Sequence, residues 1–468
     1  MSNEAVAALS ANEQSAFATL YRLSAIEVWE RLSYYLLMTL VVLFLTAPVQ
    51  EGGLGWSTAS ALGLYGGLVA AMQALPVLGG AVADQWLGPV RALRFGAILM
   101  LVGHFTMIGP HAVPLLWDAV DPQFDRDGFL AARTELLFAS DNVPERLIVG
   151  SLYAGLTLVA LGNALFKPNI SAIIGRLSFG RPASRDAAFS LFHMFVNLGA
   201  LIAIVLGGWV AARFGFGPAF TLAGFGMLAA LALMWVFKGE LSHADRPNVL
   251  KQKAASSPAA GSGWTRPAAL TLGIVTLFGM VLFQMLGTLN LYAAGRVEAS
   301  LFGFEFPPVW ILSMNPVVML LIMPPLARRW REGRGPGANL SLVGKAGASF
   351  ACLALAFAGL SAAEALAGTA LVPAALLGGA IAMITVAELL IGPSALSAIT
   401  RIVPAQHGAL GAGLFYGALG LGGFLSGQIG ASAEILGFGT VFTLIACSCA
   451  AIGACLLATR RSAAQVGL

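Results

Sequence analysis

Twelve apolar runs, each long enough to cross the roughly 30 Å hydrocarbon core of a bilayer, decide what this chain can fold into. They lie near residues 22–47, 57–83, 90–112, 146–174, 186–212 and 217–238, then near 267–294, 308–328, 340–366, 371–399, 406–430 and 436–459. Six spans, a polar stretch with the run Ala254-Ala-Ser-Ser-Pro-Ala-Ala-Gly-Ser-Gly263, and six more spans is the layout of two repeats around a central cavity. The Ala/Ser/Gly/Pro run reads as a flexible linker. The expected fold is therefore an all-α membrane protein with 12 transmembrane helices in two six-helix bundles. Its segments are a cytoplasmic N-terminal stretch 1–21, a bundle 22–238, a linker 239–266, a bundle 267–459 and a tail 460–468.

Composition agrees with this layout. Of 468 residues, 58% are hydrophobic and 10% charged, against about 25% charged in soluble domains. The net charge of +4 is not a nucleic-acid signal, because the basic residues are segregated. Arg91 and Arg94, then Arg176, Arg181 and Arg185, the linker cations, Arg328 to Arg334, and Arg401 all fall in alternate loops. By the positive-inside rule those loops and both termini face the cytoplasm, which requires an even number of spans. The expected location is the plasma (inner) membrane. The first twenty residues contain Glu4 and Glu13 and no charged n-region before an apolar core, so no cleaved signal is expected. Cys352, Cys447, Cys449 and Cys455 lie within apolar spans and read as small buried hydrophobes, not a disulfide or metal set. The acidic loop 113–145 reads as a solvated face, since its spacing matches no ligand pattern.

Charge inside the spans is the functional signal, because each such group costs about 2.5–3.5 kcal/mol at mid-bilayer. Glu27, Glu30, Arg31 and Tyr34 stand at i, i+3, i+4 and i+7, on one helical stripe. The fourth span carries Lys167-Pro168-Asn169, a lysine beside a helix-distorting proline. Lys167 is expected to pair with Glu27 or Glu30, either as a fixed ion pair or as one that breaks during transport. In the fifth span His193 and Asn197 share a face. His193 is equally a packing residue or a proton relay, and Asn197 a hydrogen-bonding ligand group. The eighth span has Asn315-Pro316, and the tenth has Glu388, the one carboxylate well inside the second-half spans. No basic residue is expected in those spans to pair with it, so a ligand amine is its natural partner. A zwitterion would then place its carboxylate on Arg31 and Lys167 and its amine on Glu388. No metal-binding histidine pair, aspartate dyad or oriented Ser-His pair occurs in the spans. An enzyme is not expected, nor any cofactor.

These motifs together resemble the proton-dependent oligopeptide transporter family of the major facilitator superfamily. Glu27-x-x-Glu30-Arg31-x-x-Tyr34-Tyr35 is similar to its first-helix signature, Phe166 to Ser171 to its fourth, and Phe189 to Gly199 to its fifth. Asn315-Pro316 and Glu388-Leu with Pro393 are similar to helices 8 and 10. The loop with Gly80, Asp84, Gly88 and Arg91 resembles the conformational latch of the superfamily. The resemblance implies proton-coupled import of di- and tripeptides by alternating access, in a monomer whose partners are peptide, protons and lipid. It implies a proton-responsive cluster of Glu27, Glu30, Arg31 and Lys167. It also implies a pocket lined by Tyr34, Tyr65, Asn197, Asn315 and Glu388. The chain departs from the pattern at Leu32, at His193, at Tyr416 and at Phe283-Gln284, where the seventh helix often carries Glu-Gln. The alternatives on this scaffold are a carrier of a nitrate-like anion, which Glu388 would repel, and a drug exporter.

Overall fold

The computed structural model describes residues 11–112, 143–175, 177, 182–239, 241, 265–301, 303–331, 340–402 and 408–464. The acidic loop and most of the linker lie outside them. The helices are α1 (Ala11–Thr46), α2 (Thr58–Val82), α3 (Pro89–Thr106), α4 (Val143–Gly175), α5 (Pro182–Phe214) and α6 (Phe216–Val236). The second set is α7a (Thr265–Leu282) and α7b (Thr288–Arg296), α8 (Met314–Arg331), α9 (Leu342–Ala367), α10 (Ala374–Ile402), α11 (Gly408–Ala431) and α12 (Phe438–Ala464). All twelve apolar runs are thus helical, and ten helices are long and apolar enough to cross a membrane among the described residues.

Two readings need correction. The first helix starts at Ala11, about three turns before the apolar run, with Ala16, Phe17 and Leu20 of the extension buried against the protein. The seventh span is not one helix: turns at 283–287 separate α7a from α7b, with Gly287 at φ −99°, ψ −94°. Pro168, in contrast, lies inside an α4 that runs on to Gly175.

The chain forms two compact units, Met1–Leu37 with Leu75–Leu130 and Leu136–Pro247, and Met38–Ala74 with Ala131–Glu135 and Asn248–Leu468. In the first unit α3 packs on α4 and α6, and α5 on α6. Glycine permits the α3–α4 approach: a Cβ at Gly96 would meet the Gly162 carbonyl at 2.6 Å. In the second unit α9 packs on α10 and α12, and α7a on α10 and α11. The second unit also holds the first half of α2 against α11. Gly66 and Gly427 let those backbones touch, a Cβ at Gly427 falling 2.5 Å from the Leu62 carbonyl. The cysteines are free, with Cys449 buried and Cys447 exposed, as opposite faces of one helix require.

Candidate functional site

The first-unit cluster is built on one turn of α1. Glu27, Glu30 and Arg31 are all at most 5% exposed, so their charges must satisfy one another. Arg31 does this with its planar fork: Nη2 donates to Glu30 Oε1 at 2.6 Å and Nε donates to Glu30 Oε2. The same Nε lies 3.1 Å from Glu27 Oε1. Tyr34 caps the assembly, its ring 4.7 Å from the guanidinium carbon, a cation–π contact. Glu27 Oε2 is buried without a hydrogen-bond partner. Gly199 of α5 makes room for all of this, since a Cβ there would lie 2.8 Å from Arg31 Cβ and 2.6 Å from the Val28 carbonyl.

Lys167 belongs to the same unit, half-buried in α4, and its charge interacts with Arg31, Glu30 and Glu27. Pro168 has no N–H for the Ala164 carbonyl four residues back. That freed carbonyl faces Gly79 of α2, where a Cβ would come within 1.9 Å. Asn169 turns its amide to its own helix, Nδ2 to Leu165 O at 2.6 Å. Asn197 does likewise, donating to the His193 carbonyl at 2.9 Å. The shared face of His193 and Asn197 is therefore linked through backbone, and the carbonyl end of the Asn197 amide remains for other contacts. Gly80, Asp84, Gly88 and Arg91 lie at the turn from α2 to α3. Gly88 adopts φ +75° there, a conformation suited to glycine, and Asp84 and Arg91 are exposed.

In the second unit Glu388 of α10 is half-buried, and Asn315 of α8 donates to its Oε2 at 3.1 Å. Thr385, one turn earlier, accepts from the same Asn315 nitrogen at 3.0 Å and donates to Ile381 O. Sequence reading missed Thr385, although its i, i+3 spacing from Glu388 signals a shared face. It also treated Lys345 as a loop residue with no basic group in the second-half spans. Lys345 lies in the first turn of α9, and its Nζ donates to Ser394 of α10 at 3.1 Å.

Tyr65 is 1% exposed, and its hydroxyl donates to the Phe283 carbonyl at 3.2 Å, a carbonyl at the start of the 283–287 break. Gln284 fills that break: Nε2 donates to Met280 O and Ser426 O, and its Oε1 accepts from Thr288. Asn290 of α7b donates to the Thr39 carbonyl of α1 at 2.5 Å. Where the resemblance leads one to expect an acid, this segment is held by neutral amides and hydroxyls. Beyond it, Glu364 of α9 accepts from Tyr292 and Arg296 of α7b, both at 2.8 Å. No group of three or more metal-ligating side chains occurs among the described residues.

Known proteins are similar to this chain in sequence and in fold. Residues 90–260 and 268–434 match the model of the POT family. The peptide transporter YePEPT of Yersinia enterocolitica is 26% identical over 86% of this chain and 85% of its own length. Dipeptide and tripeptide permease A of Proteus mirabilis is 25% identical over 66% of this chain and 64% of its own. Among solved structures, a peptide transporter POT in complex with sulfate superposes with a TM-score of 0.78 at 23% identity, covering 96% of this chain and 95% of that one. A POT family transporter in complex with 5-aminolevulinic acid gives 0.78 at 20% identity, over 95% and 96%. The fold is that of these transporters, and the chain, a multi-span membrane protein and not an enzyme, belongs to the POT family.

Proposed function

We propose that this protein imports di- and tripeptides together with protons by alternating access, across a plasma membrane with both its termini cytoplasmic. The observation that carries the reading is the buried Arg31 held by two carboxylates on one turn of α1, in a family whose relatives are named peptide transporters. A guanidinium so held is withheld from any ligand carboxylate until a carboxylate lets go. Glu27 Oε2, which has no hydrogen-bond partner, offers a position for a proton. Protonation of Glu27 or Glu30 then weakens the hold on Arg31, and Arg31 with Lys167 takes the peptide carboxylate. Glu388, oriented by Asn315, takes the peptide amine, while Tyr34, Tyr65 and Asn197 supply polar groups that tolerate varied side chains. Coupling follows because proton and peptide act on the same ion pair. One charge moving across 100 mV adds about 2.3 kcal/mol to the drive. Protons serve as the coupling ion without a cofactor, and the working unit is the monomer.

Purified protein in liposomes should accumulate dialanine only under an inward proton drive. Glu30→Gln should abolish uphill accumulation while keeping dialanine exchange at equilibrium. Uphill uptake retained by that variant would remove Glu30 from coupling, and uptake of nitrate in place of peptide would overturn the substrate.

A further inference from the structure

We propose that a groove between α7a, α11 and α12 is a binding site for one acyl chain of a phospholipid, in the leaflet at the C-terminal end of α11. This goes beyond peptide transport and stands or falls apart from it. The groove has a volume of about 580 Å³ and an almost wholly apolar lining, including Leu277, Leu425, Ile429, Leu444 and Ile452. It opens to the outside of these helices: Leu444 on its wall is 54% exposed, and Leu421 and Phe424 farther along α11 are 53% and 43% exposed. On a membrane-spanning surface that exposure is to hydrocarbon.

Dimensions select the occupant. Residues Val441 to Ile452 of α12 line the groove, a length of about 16 Å at 1.5 Å per residue. That is close to half of the roughly 30 Å hydrocarbon core, the reach of one leaflet. An extended acyl chain matches that length, and the lining is apolar along it. The two ends also differ in chemistry. Gln428 lies one turn before the end of α11 at Ala431, beside Ser432 and exposed, and among the described residues no hydrogen bond engages its side chain. Its two N–H donors suit the ester and phosphate oxygens of a lipid whose chain enters there. Two turns in from Val441, Ser448 and Cys449 are small and leave the space open. The groove also touches Met280, whose carbonyl receives the Gln284 amide, so the chain would brace α7a next to its break.

The test is native mass spectrometry of the full-length protein in detergent, titrated with palmitoyl-oleoyl phosphatidylethanolamine. Wild type should retain one lipid per protein. Ser448→Phe, which narrows the groove along its length, should weaken retention about tenfold, equivalent to about 1.4 kcal/mol. Leu366→Phe, at an exposed site on α9, should leave retention unchanged. Gln428→Leu removes the polar mouth without filling the groove, and should weaken phospholipid retention but not that of palmityl alcohol. It decides the matter should Ser448→Phe fail to elute as a folded species. Absence of a retained lipid in wild type, retention unaffected by both variants, or a protein dimer that Ser448→Phe abolishes would each overturn the proposal.

Discussion

Arg31 has a carboxylate on each side and a tyrosine ring over its face, so its removal is costly in a particular way. Truncating the cation strands two buried carboxylates on one turn, and breaking a buried pair costs about 3–5 kcal/mol. Arg31→Leu should therefore lower the unfolding temperature in detergent markedly. The double variant Arg31→Leu/Glu30→Leu should recover part of that loss, and no recovery would mean that the pair is not what the site depends on. At the other charged position, Asn315 holds Glu388 through a single amide. A hydrogen bond to a charged group contributes about 1.5–3 kcal/mol, so Asn315→Ala should raise the KM for dialanine at least about tenfold. N-acetyl-dialanine, which has no amine for Glu388, should show little change between wild type and variant.

Glycine permits the closest helix approaches at several positions. α11 contains a matched pair that isolates the effect. A Cβ at Gly427 would meet the Leu62 carbonyl at 2.5 Å, whereas nothing lies within 4 Å of one at Gly417. Gly427→Ala should therefore destabilise by about 1–3 kcal/mol through overpacking. Gly417→Ala should be neutral or stabilise by up to about 1 kcal/mol through helix propensity. Thermal unfolding of the two purified variants in one detergent checks both. Gly199 in α5 poses the same question at the functional cluster, since a methyl there pushes on Arg31 Cβ. Gly199→Ala should reduce proton-driven uptake more than it reduces thermal stability. The α7a–α7b break shows how an element can depart from its hydropathy. Gln284 and Tyr65 donate to the Met280 and Phe283 carbonyls at the break, which lets backbone leave the helical path in an apolar setting.

For the molecule as a whole, each unit holds a carboxylate–guanidinium contact, Glu27 and Glu30 with Arg31 in the first and Glu364 with Arg296 in the second. The segment around Gln284 and Asn290 in the second is held by neutral groups. Under the proposed mechanism, in which protonation precedes release of Arg31, acidifying the outside at fixed membrane potential should raise dialanine uptake in wild type. The double variant Glu27→Gln/Glu30→Gln should show a flat pH profile. Gln284→Ala should lower the rate without altering the shape of that profile, and an altered shape would place a proton-sensing step in the second unit as well.

Hydropathy and charge placement by themselves determined the twelve helical runs, the membrane setting and the motifs of the family. Bilayer thickness and the cost of buried charge act on a sequence locally, residue by residue. Helical periodicity likewise put Glu27, Glu30, Arg31 and Tyr34 on one stripe. Only tertiary structure decided which partner each group takes. Arg31 engages Glu30 in a two-pronged contact, Asn315 turns to Glu388, and Tyr65 spends its hydroxyl on Phe283. The break in the seventh span is of the same kind. Its hydrogen bonds come from Tyr65, 218 residues away, and from Ser426, 142 residues away, and no local pattern records bonds made at that distance.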